Sequence, residues 1–225
     1  MKIKQVLAFA MFLLLAMSSI MAQDNHRFTL GIDFGGNSSQ EGDFFPGDPG
    51  WKSGYVGGVT AEYSLPKCFS IKTGVYYEQK GYSVSGQAPD TSNHTTFVSP
   101  VYYNKELDYY VVPVLAKFTF GNKWNFFAEG GLYAGLITKA VFNETLSANS
   151  GVQFQSNNII KEYNPIDLGA ILGGGVCYSF HRFSIDIEAK FCRSIPTTFA
   201  PWTRSRFGYA ANQSYTLLLG IGYKI

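Results

Sequence analysis

The sequence predicts an all-β fold: one eight-stranded antiparallel up-and-down transmembrane β-barrel, with short periplasmic turns and long outer loops. Three observations predict it. Eight segments alternate apolar and polar residues, the connections between them alternate long and short, and the apolar rows place aromatics near both strand ends. "FSIDIEAKF" at 183–191 shows the alternation. Phe183, Ile185, Ile187, Ala189 and Phe191 share one face, and Ser184, Asp186, Glu188 and Lys190 the other. In a soluble barrel those charges would meet water; in a membrane barrel they face the lumen while the apolar row meets lipid.

The N-terminus comes first in the chain. Lys2 and Lys4 precede an apolar run at 6–17, followed by Ser18, Ser19, Ile20, Met21 and Ala22. A positive end, a short apolar core and small residues describe a secretory signal peptide, cut after Ala22. The run is shorter than the about 20 residues a spanning helix needs. Residues 1–22 are therefore the signal peptide, and 23–225 one outer-membrane barrel domain. Charged residues are only 15% of the chain, against about 25% in soluble domains. With aromatics at 16% and 24 glycines, this composition suits a wall that meets something other than water. The net charge of +2 comes from Lys2 and Lys4. A balanced mature chain disfavours nucleic acid or a polybasic membrane surface as partner.

The first strand, 28–36, sets Phe28 and Phe34 outward and Gly31, Asp33 and Gly35 inward. The second, 54–65, has Tyr55 and Tyr63 outside and Glu62 inside. Pro66 and Lys67 turn the chain into 68–80, with Phe69 and Tyr77 outside and Lys72, Gly74, Glu78 and Lys80 inside. The fourth strand, 107–120, carries Tyr110 and Phe120 outside. Its inner row of Val111, Pro113, Leu115 and Lys117 is the least polar, and a bulge at Pro113 would accommodate the missing ladder donor. After Gly121, Asn122 and Lys123 comes 124–139, with Glu129, Gly131 and Gly135 inside. The sixth strand, 166–180, contributes Gly169, Gly173 and Gly175. His181 and Arg182 turn it into 183–193, and 213–225 closes the chain with Gly220, Gly222 and Lys224 inward. Glycine covers nothing on a wet strand surface, but inside a narrow barrel small residues make room for large ones opposite.

The long connections are 37–53, 81–106, 140–165 and 194–212. Eight antiparallel strands bring all of them to one end, and the short turns and both termini to the other. Aromatics flanking an aliphatic band are what two bilayer interfaces select. The charges of FSIDIEAKF are thus expected inside. The expected lumen network is Asp33, Glu62, Lys72, Glu78, Lys80, Lys117, Glu129, Asp186, Glu188, Lys190 and Lys224. Buried charges persist when paired, and neighbouring strands offer Lys117 with Glu129 and Lys72 with Glu62. Eight strands enclose room for side chains only, so a plugged lumen without an open pore is expected. Cys68, Cys177 and Cys192 form no metal spacing, and a turn at His181 and Arg182 keeps Cys177 and Cys192 from facing each other.

Little in the sequence suggests catalysis. "GAILGGG" at 169–175 lacks the helix a phosphate loop requires, because strand follows it. "EGDFFPGDPG" at 41–50 lacks calcium-loop spacing. Of the three histidines, His26 and His181 fall at the periplasmic end, and only His94, beside Thr95 and Thr96, is near the outer surface. A barrel enzyme acting on outer-membrane lipid would need a His-activated hydroxyl there; a secreted soluble barrel with an apolar ligand is the other alternative. No cofactor or metal is expected. The last long connection sets Phe199, Trp202, Phe207 and Tyr209 among Arg204 and Arg206. These are residue types that anchor interfaces, and of them Phe199, Trp202, Arg204, Arg206 and Tyr209 are the candidate outer contact for lipopolysaccharide phosphates or a partner.

"LDYYVVPVLAKFTFG" (107–121), "FFAEGGLYAGL" (126–136), "DLGAILGGGVCYSF" (167–180) and "NQSYTLLLGIGYKI" (212–225) resemble, in that order, the PorT-like outer-membrane β-barrel proteins. The resemblance covers nearly the whole mature chain. It implies an eight-stranded barrel in the bacterial outer membrane, and the family's namesake is associated with a protein-secretion apparatus. The expectation is a non-enzymatic, monomeric barrel whose partners are outer-membrane lipid and envelope or secretion-machinery proteins. One departure concerns the C-terminus: such barrels usually end in an aromatic residue, whereas this chain ends in Ile225 with Tyr223 two residues before it.

Overall fold

Alternation in the sequence becomes a closed wall. The structure, a computed structural model, describes residues 27–42, 50–90, 97–148, 151–195 and 211–225. Among them are nine strands: β1 (Phe28–Gly42), β2 (Gly50–Ser64), β3 (Phe69–Asp90), β4 (Phe97–Gly121), β5 (Trp124–Ala148), β6 (Gly151–Asn158), β7 (Ile166–Phe180), β8 (Phe183–Ser194) and β9 (Ala211–Lys224). The sheet order is β4-β3-β2-β1-β9-β8-β7-β5-β6, and β4 also pairs with β5. That pairing closes an eight-stranded antiparallel barrel of β1–β5 and β7–β9. β6 is added to the upper part of β5.

The burial pattern says which face meets lipid. Along β8, Phe183, Ile185, Ile187 and Ala189 are exposed, whereas Ser184, Glu188 and Lys190 are buried. Leu132 and Leu172 are each 66% exposed, while Glu188 is 0% exposed. Water would not leave carboxylates inside and leucines outside, so the outer face is built for hydrocarbon. Aliphatics such as Leu30, Ile32, Val59, Val75, Val114, Leu217 and Ile221 occupy its middle. At the turn end the aromatics touch in a chain around the wall. Phe69 meets Phe118 with ring centroids 5.2 Å apart, Trp124 meets Tyr178 at 4.9 Å, and Phe183 meets Tyr223 at 5.1 Å. At the other end, the rim, Tyr55, Tyr77 and Tyr110 form a second group, with Tyr215 between Trp51 and Phe191. Tyr223 and Ile225 both stay on the outer face.

Three of the predicted long loops are largely strand. β1 runs to Gly42, β2 begins at Gly50, β3 and β4 stay paired out to Asp90 and Phe97, and β5 reaches Ala148 before β6 returns along it. Above the lipid belt both faces of a strand lack hydrocarbon, so apolar-polar contrast is no longer selected and the alternation signal fades. The result is a four-stranded sheet, from β3 to β6, that rises above the rim on one side. The short turns stand where the sequence places them, with positive φ at Lys67 (73°) and His181 (52°).

No bulge forms at Pro113. The β3–β4 ladder skips Gly74 and Val75, which face Pro113 and Val112, and resumes in the same register. The missing donor is absorbed by that gap, and Thr73 donates its hydroxyl to the Pro113 carbonyl at 2.7 Å. The irregularity falls elsewhere. Asp108 pairs with Lys139 and Tyr109 with Ile137, leaving Thr138 as the extra residue. Val111 and Leu115 point inward as expected, and they join Tyr109, Tyr133, Ile137 and Ile171 in an apolar cluster within the lumen.

Candidate functional site: the lumen and the rim

Every second strand residue points inward, and the lumen fills in levels. Nearest the turn end, Lys117 pairs with Glu62 at 2.9 Å, and Ser70 donates to the same carboxylate at 2.7 Å. The Lys117 ammonium also lies 4.2 Å from the Phe127 ring centroid. One level up, Lys72 bridges Asp33 at 3.2 Å and Glu188 at 2.9 Å. Lys190 holds Glu188 at 2.9 Å and Glu129 at 3.5 Å, and Tyr76 donates its hydroxyl to Asp33 at 2.6 Å. Next, Lys80 pairs with Glu78 at 3.1 Å, and Asn37 donates to Glu78 at 3.1 Å. Tyr133, whose ring lies under Lys80, donates to Asp167 at 3.2 Å. At the top, Lys105 meets Glu41 at 2.7 Å beneath the ring of Tyr163, whose hydroxyl donates to the same carboxylate at 3.3 Å.

The proposed pairs need correction. Lys117 faces Glu129 in the ladder and Lys72 faces Glu62, yet Lys117 binds Glu62, and Lys72 binds Asp33 and Glu188. In so narrow a bore a lysine stem reaches across to another strand as readily as sideways. Of the remaining predicted residues, Asp186 and Lys224 line a cavity of about 420 Å³ at the turn end, together with Ser184, Ser179 and Cys177. Asp186 Oδ2 is buried there without a hydrogen-bond partner. Sequence reasoning missed Glu41, Lys105, Asp167 and the lumen tyrosines. Tyr76 has the same strand parity as Lys72 and Lys80, so it was legible. Glu41 and Lys105 lie in segments read as loops, and Tyr163 follows a single helical turn, Ile160–Glu162, with no periodic signal.

Small residues accommodate the large ones. A Cβ added to Gly169 would collide with the Tyr133 ring, and one on Gly175 would stand 2.7 Å from Phe127. At the rim the β2–β3 register shifts between Trp51 and Val56. Gly81 there takes a φ of 151° and has no room for a side chain against the Lys105 carbonyl. Ser39 accepts the Gly81 N–H at 3.0 Å and donates back to its carbonyl at 3.1 Å, so the irregular backbone is satisfied from the lumen. Just above, Glu106 ties Lys52 (3.2 Å) and Lys139 (3.3 Å) across three strands.

Among the described residues no group of three or more His, Cys, Asp or Glu is arranged to hold a metal. Cys177 stands opposite Asp186 and Cys192 opposite Ile171, and the three thiols are free. "GAILGGG" is part of β7, and His181 is exposed in the β7–β8 turn. Residues 1–22, expected from the sequence to be a signal peptide, His26, His94, most of the acidic stretch after Glu41, and Phe199, Trp202, Arg204, Arg206 and Tyr209 lie outside the described residues.

No curated protein matches the sequence. Among solved structures, the chain is similar to Neisserial surface protein A at 12% identity, over 88% of this chain and 97% of that one, with a TM-score of 0.49. It is similar at 15% identity to Ail, the attachment invasion locus protein of Yersinia pestis, in complex with the heparin analogue sucrose octasulfate; coverage is 88% and 99%, and the TM-score 0.37. The N-terminal β-barrel domain of Pseudomonas aeruginosa OprF is similar at 12% identity over 88% and 97%, with a TM-score of 0.38. The sequence profile described as outer membrane protein beta-barrel domain matches residues 21–200. With that match added to a closed barrel wearing an apolar belt, the chain belongs to the outer membrane protein beta-barrel domain family, and its place is the bacterial outer membrane.

Proposed function

We propose that this chain is a non-enzymatic barrel with a plugged lumen, and that its partners are met at the outer rim. The observation that carries the reading is the contrast between the two regions. Ion pairs and hydrogen bonds between side chains of different strands fill the bore at four successive levels, whereas a paired sheet with exposed side chains rises above the belt. Packed charges brace a wall but leave no path for solute. The test of the plug is conductance of the purified protein in planar bilayers. No porin-sized steps are expected, and steady large openings would overturn the plug.

The partners we infer are outer-membrane lipid and envelope or secretion-machinery proteins, the latter following from the PorT-like motifs at 107–121 and 212–225. A photo-crosslinking residue at Tyr102, exposed on the outer face of the rising sheet, is expected to trap an envelope protein in living cells. The same residue at Leu132, in the lipid belt, is expected to trap none. Equal yields from the two positions would remove the rim from consideration. Arg204 and Arg206, with Phe199, Trp202 and Tyr209, are proposed to add contacts to lipopolysaccharide phosphates. The Arg204→Ala, Arg206→Ala double variant is then expected to bind lipopolysaccharide more weakly; unchanged binding would exclude that role. Cleavage after Ala22 is proposed as well, and it predicts Gln23 as the first residue of the exported protein by N-terminal sequencing.

A further inference from the structure

We propose that the turn-end cavity binds a small, slender zwitterion, whose ammonium reaches Asp186 and whose carboxylate stays at the mouth with Lys67 and Lys224. The site is separate from the rim and lies at the opposite end of the bore. The cavity, of about 420 Å³, is lined on its inner side by Asp33, Lys72 and Lys117 and at its mouth by Lys67, Asn122 and Lys224. Ion pairs stand across the inner end, so the turn end is its way in. Three of the charges lining it are left over once those pairs are formed. Lys117 is taken by Glu62, and Lys72 by Asp33 and Glu188. Lys190 is shared by Glu188 and Glu129. Those four acids against three bases already make the lower bore negative. Asp186 adds a further carboxylate, with Oδ2 buried and no donor to it. Gly220, opposite Asp186 in the ladder, leaves that carboxylate its place, since a Cβ there would stand 2.6 Å from Oδ2. A buried carboxylate without a donor is costly, and a cationic group supplies both charge and donors. Lys67 is exposed in the β2–β3 turn and Lys224 is half-buried near the end of β9. Among the described residues neither enters an ion pair, and together they make the mouth positive.

This arrangement selects among ligand classes. A metal ion is ill served, because a hard cation wants several oxygen ligands and no group of three His, Cys, Asp or Glu is arranged for one among the described residues. A simple anion would meet Asp186 at the inner end. A diamine would set its second ammonium against Lys67 and Lys224. A zwitterion is matched at both ends. Its length follows from the register. Asp186 faces Gly220, and Lys224 stands four residues beyond Gly220 toward the mouth, about 14 Å along the strand. A hydrogen bond of about 3 Å at each end leaves about 8 Å between the ligand's two charges. That separation describes an ω-amino acid and exceeds the reach of an α-amino acid. Ser184 and Ser179 pair across β8 and β7 between Asp186 and the turn. Their hydroxyls offer acceptors to the remaining protons of the ammonium.

The test uses the mature protein in lipid nanodiscs, with 6-aminohexanoate as the probe and hexylamine and hexanoate as its singly charged counterparts. Saturable shifts of the Asp186 and Gly220 backbone amide resonances are expected with 6-aminohexanoate, with weaker binding of hexylamine and none of hexanoate. Asp186→Asn should weaken binding of 6-aminohexanoate by about tenfold or more. Lys67→Gln combined with Lys224→Gln should bring 6-aminohexanoate down to the level of hexylamine while leaving hexylamine no weaker. The second pair of substitutions lies at the mouth, so it reads the site even where Asp186→Asn disturbs the bore. The proposal is overturned if no saturable shift appears, if hexanoate binds as well as the zwitterion, or if either variant binds it as the unaltered protein does. It is also overturned if the exported N-terminus shows a nuclear Overhauser contact with Gly220 without ligand, because the chain itself then holds Asp186.

Discussion

Lys72 sits between Asp33 and Glu188 with almost no exposure to water. Deleting one member of a buried ionic set strands the others, at a cost of about 3–5 kcal/mol. Lys72→Met is expected to lower unfolding stability by that order, read as the urea midpoint in lipid vesicles. An unchanged midpoint would mean that water reaches the site. Gly169 gives a second check, since its missing Cβ leaves space for Tyr133. Gly169→Ala should cost about 1–3 kcal/mol through overpacking, and a good part of that cost should remain when Tyr133→Leu has removed the ring, because the Arg193 carbonyl also collides with the added carbon. Both effects were partly legible in the sequence. Strand parity assigns Lys72, Glu188 and Gly169 to the lumen, because parity is a local property of the backbone. It does not assign their partners, since a lysine stem spans the bore and the register says only who is next door.

The rising sheet shows where element-scale reading weakens. "YSVSGQAPD" and "VYYNKE" belong to long strands, yet neither carries a clean apolar row. Inside the belt, lipid on one side and charge on the other write a period of two into the sequence. Above it the strands are held by backbone bonds and by scattered side-chain ties such as Glu106 with Lys52 and Lys139, which do not repeat with a period of two. Gly81 is the exception that could have been noticed, a glycine at the point where register shifts. Gly81→Ala is expected to raise amide exchange along the upper parts of β3 and β4. Because the defect lies above the belt, the barrel's boiled-versus-unboiled gel shift should persist. Loss of that shift would show that the irregularity is part of the folding core. The bulge expected at Pro113 fails for a related reason: a ladder can skip two pairs without inserting a residue, and sequence does not distinguish the two repairs.

At the scale of the whole molecule, the alternation of long and short connections and the two aromatic girdles were sufficient to orient the wall, because both are imposed by the bilayer. An arginine on the lipid face near the bilayer midplane costs about 2–4 kcal/mol. Leu132→Arg is therefore expected to destabilise the barrel by that order, while Tyr102→Arg, above the belt, should change the urea midpoint by under about 0.5 kcal/mol. Equal effects would place the belt elsewhere. The pairing of β1 with β9, from Thr29↔Lys224 to Gly42↔Ala211, carries one more consequence. That seam joins the first and last of the described strands, residues far apart in the sequence, and such contacts form slowly. Until the final strand arrives, β1 must wait with an unsatisfied margin in or beside the bilayer. Delivery of the C-terminus is thus the event that seals the molecule, and a chain cut short before Ala211 would remain an open ribbon.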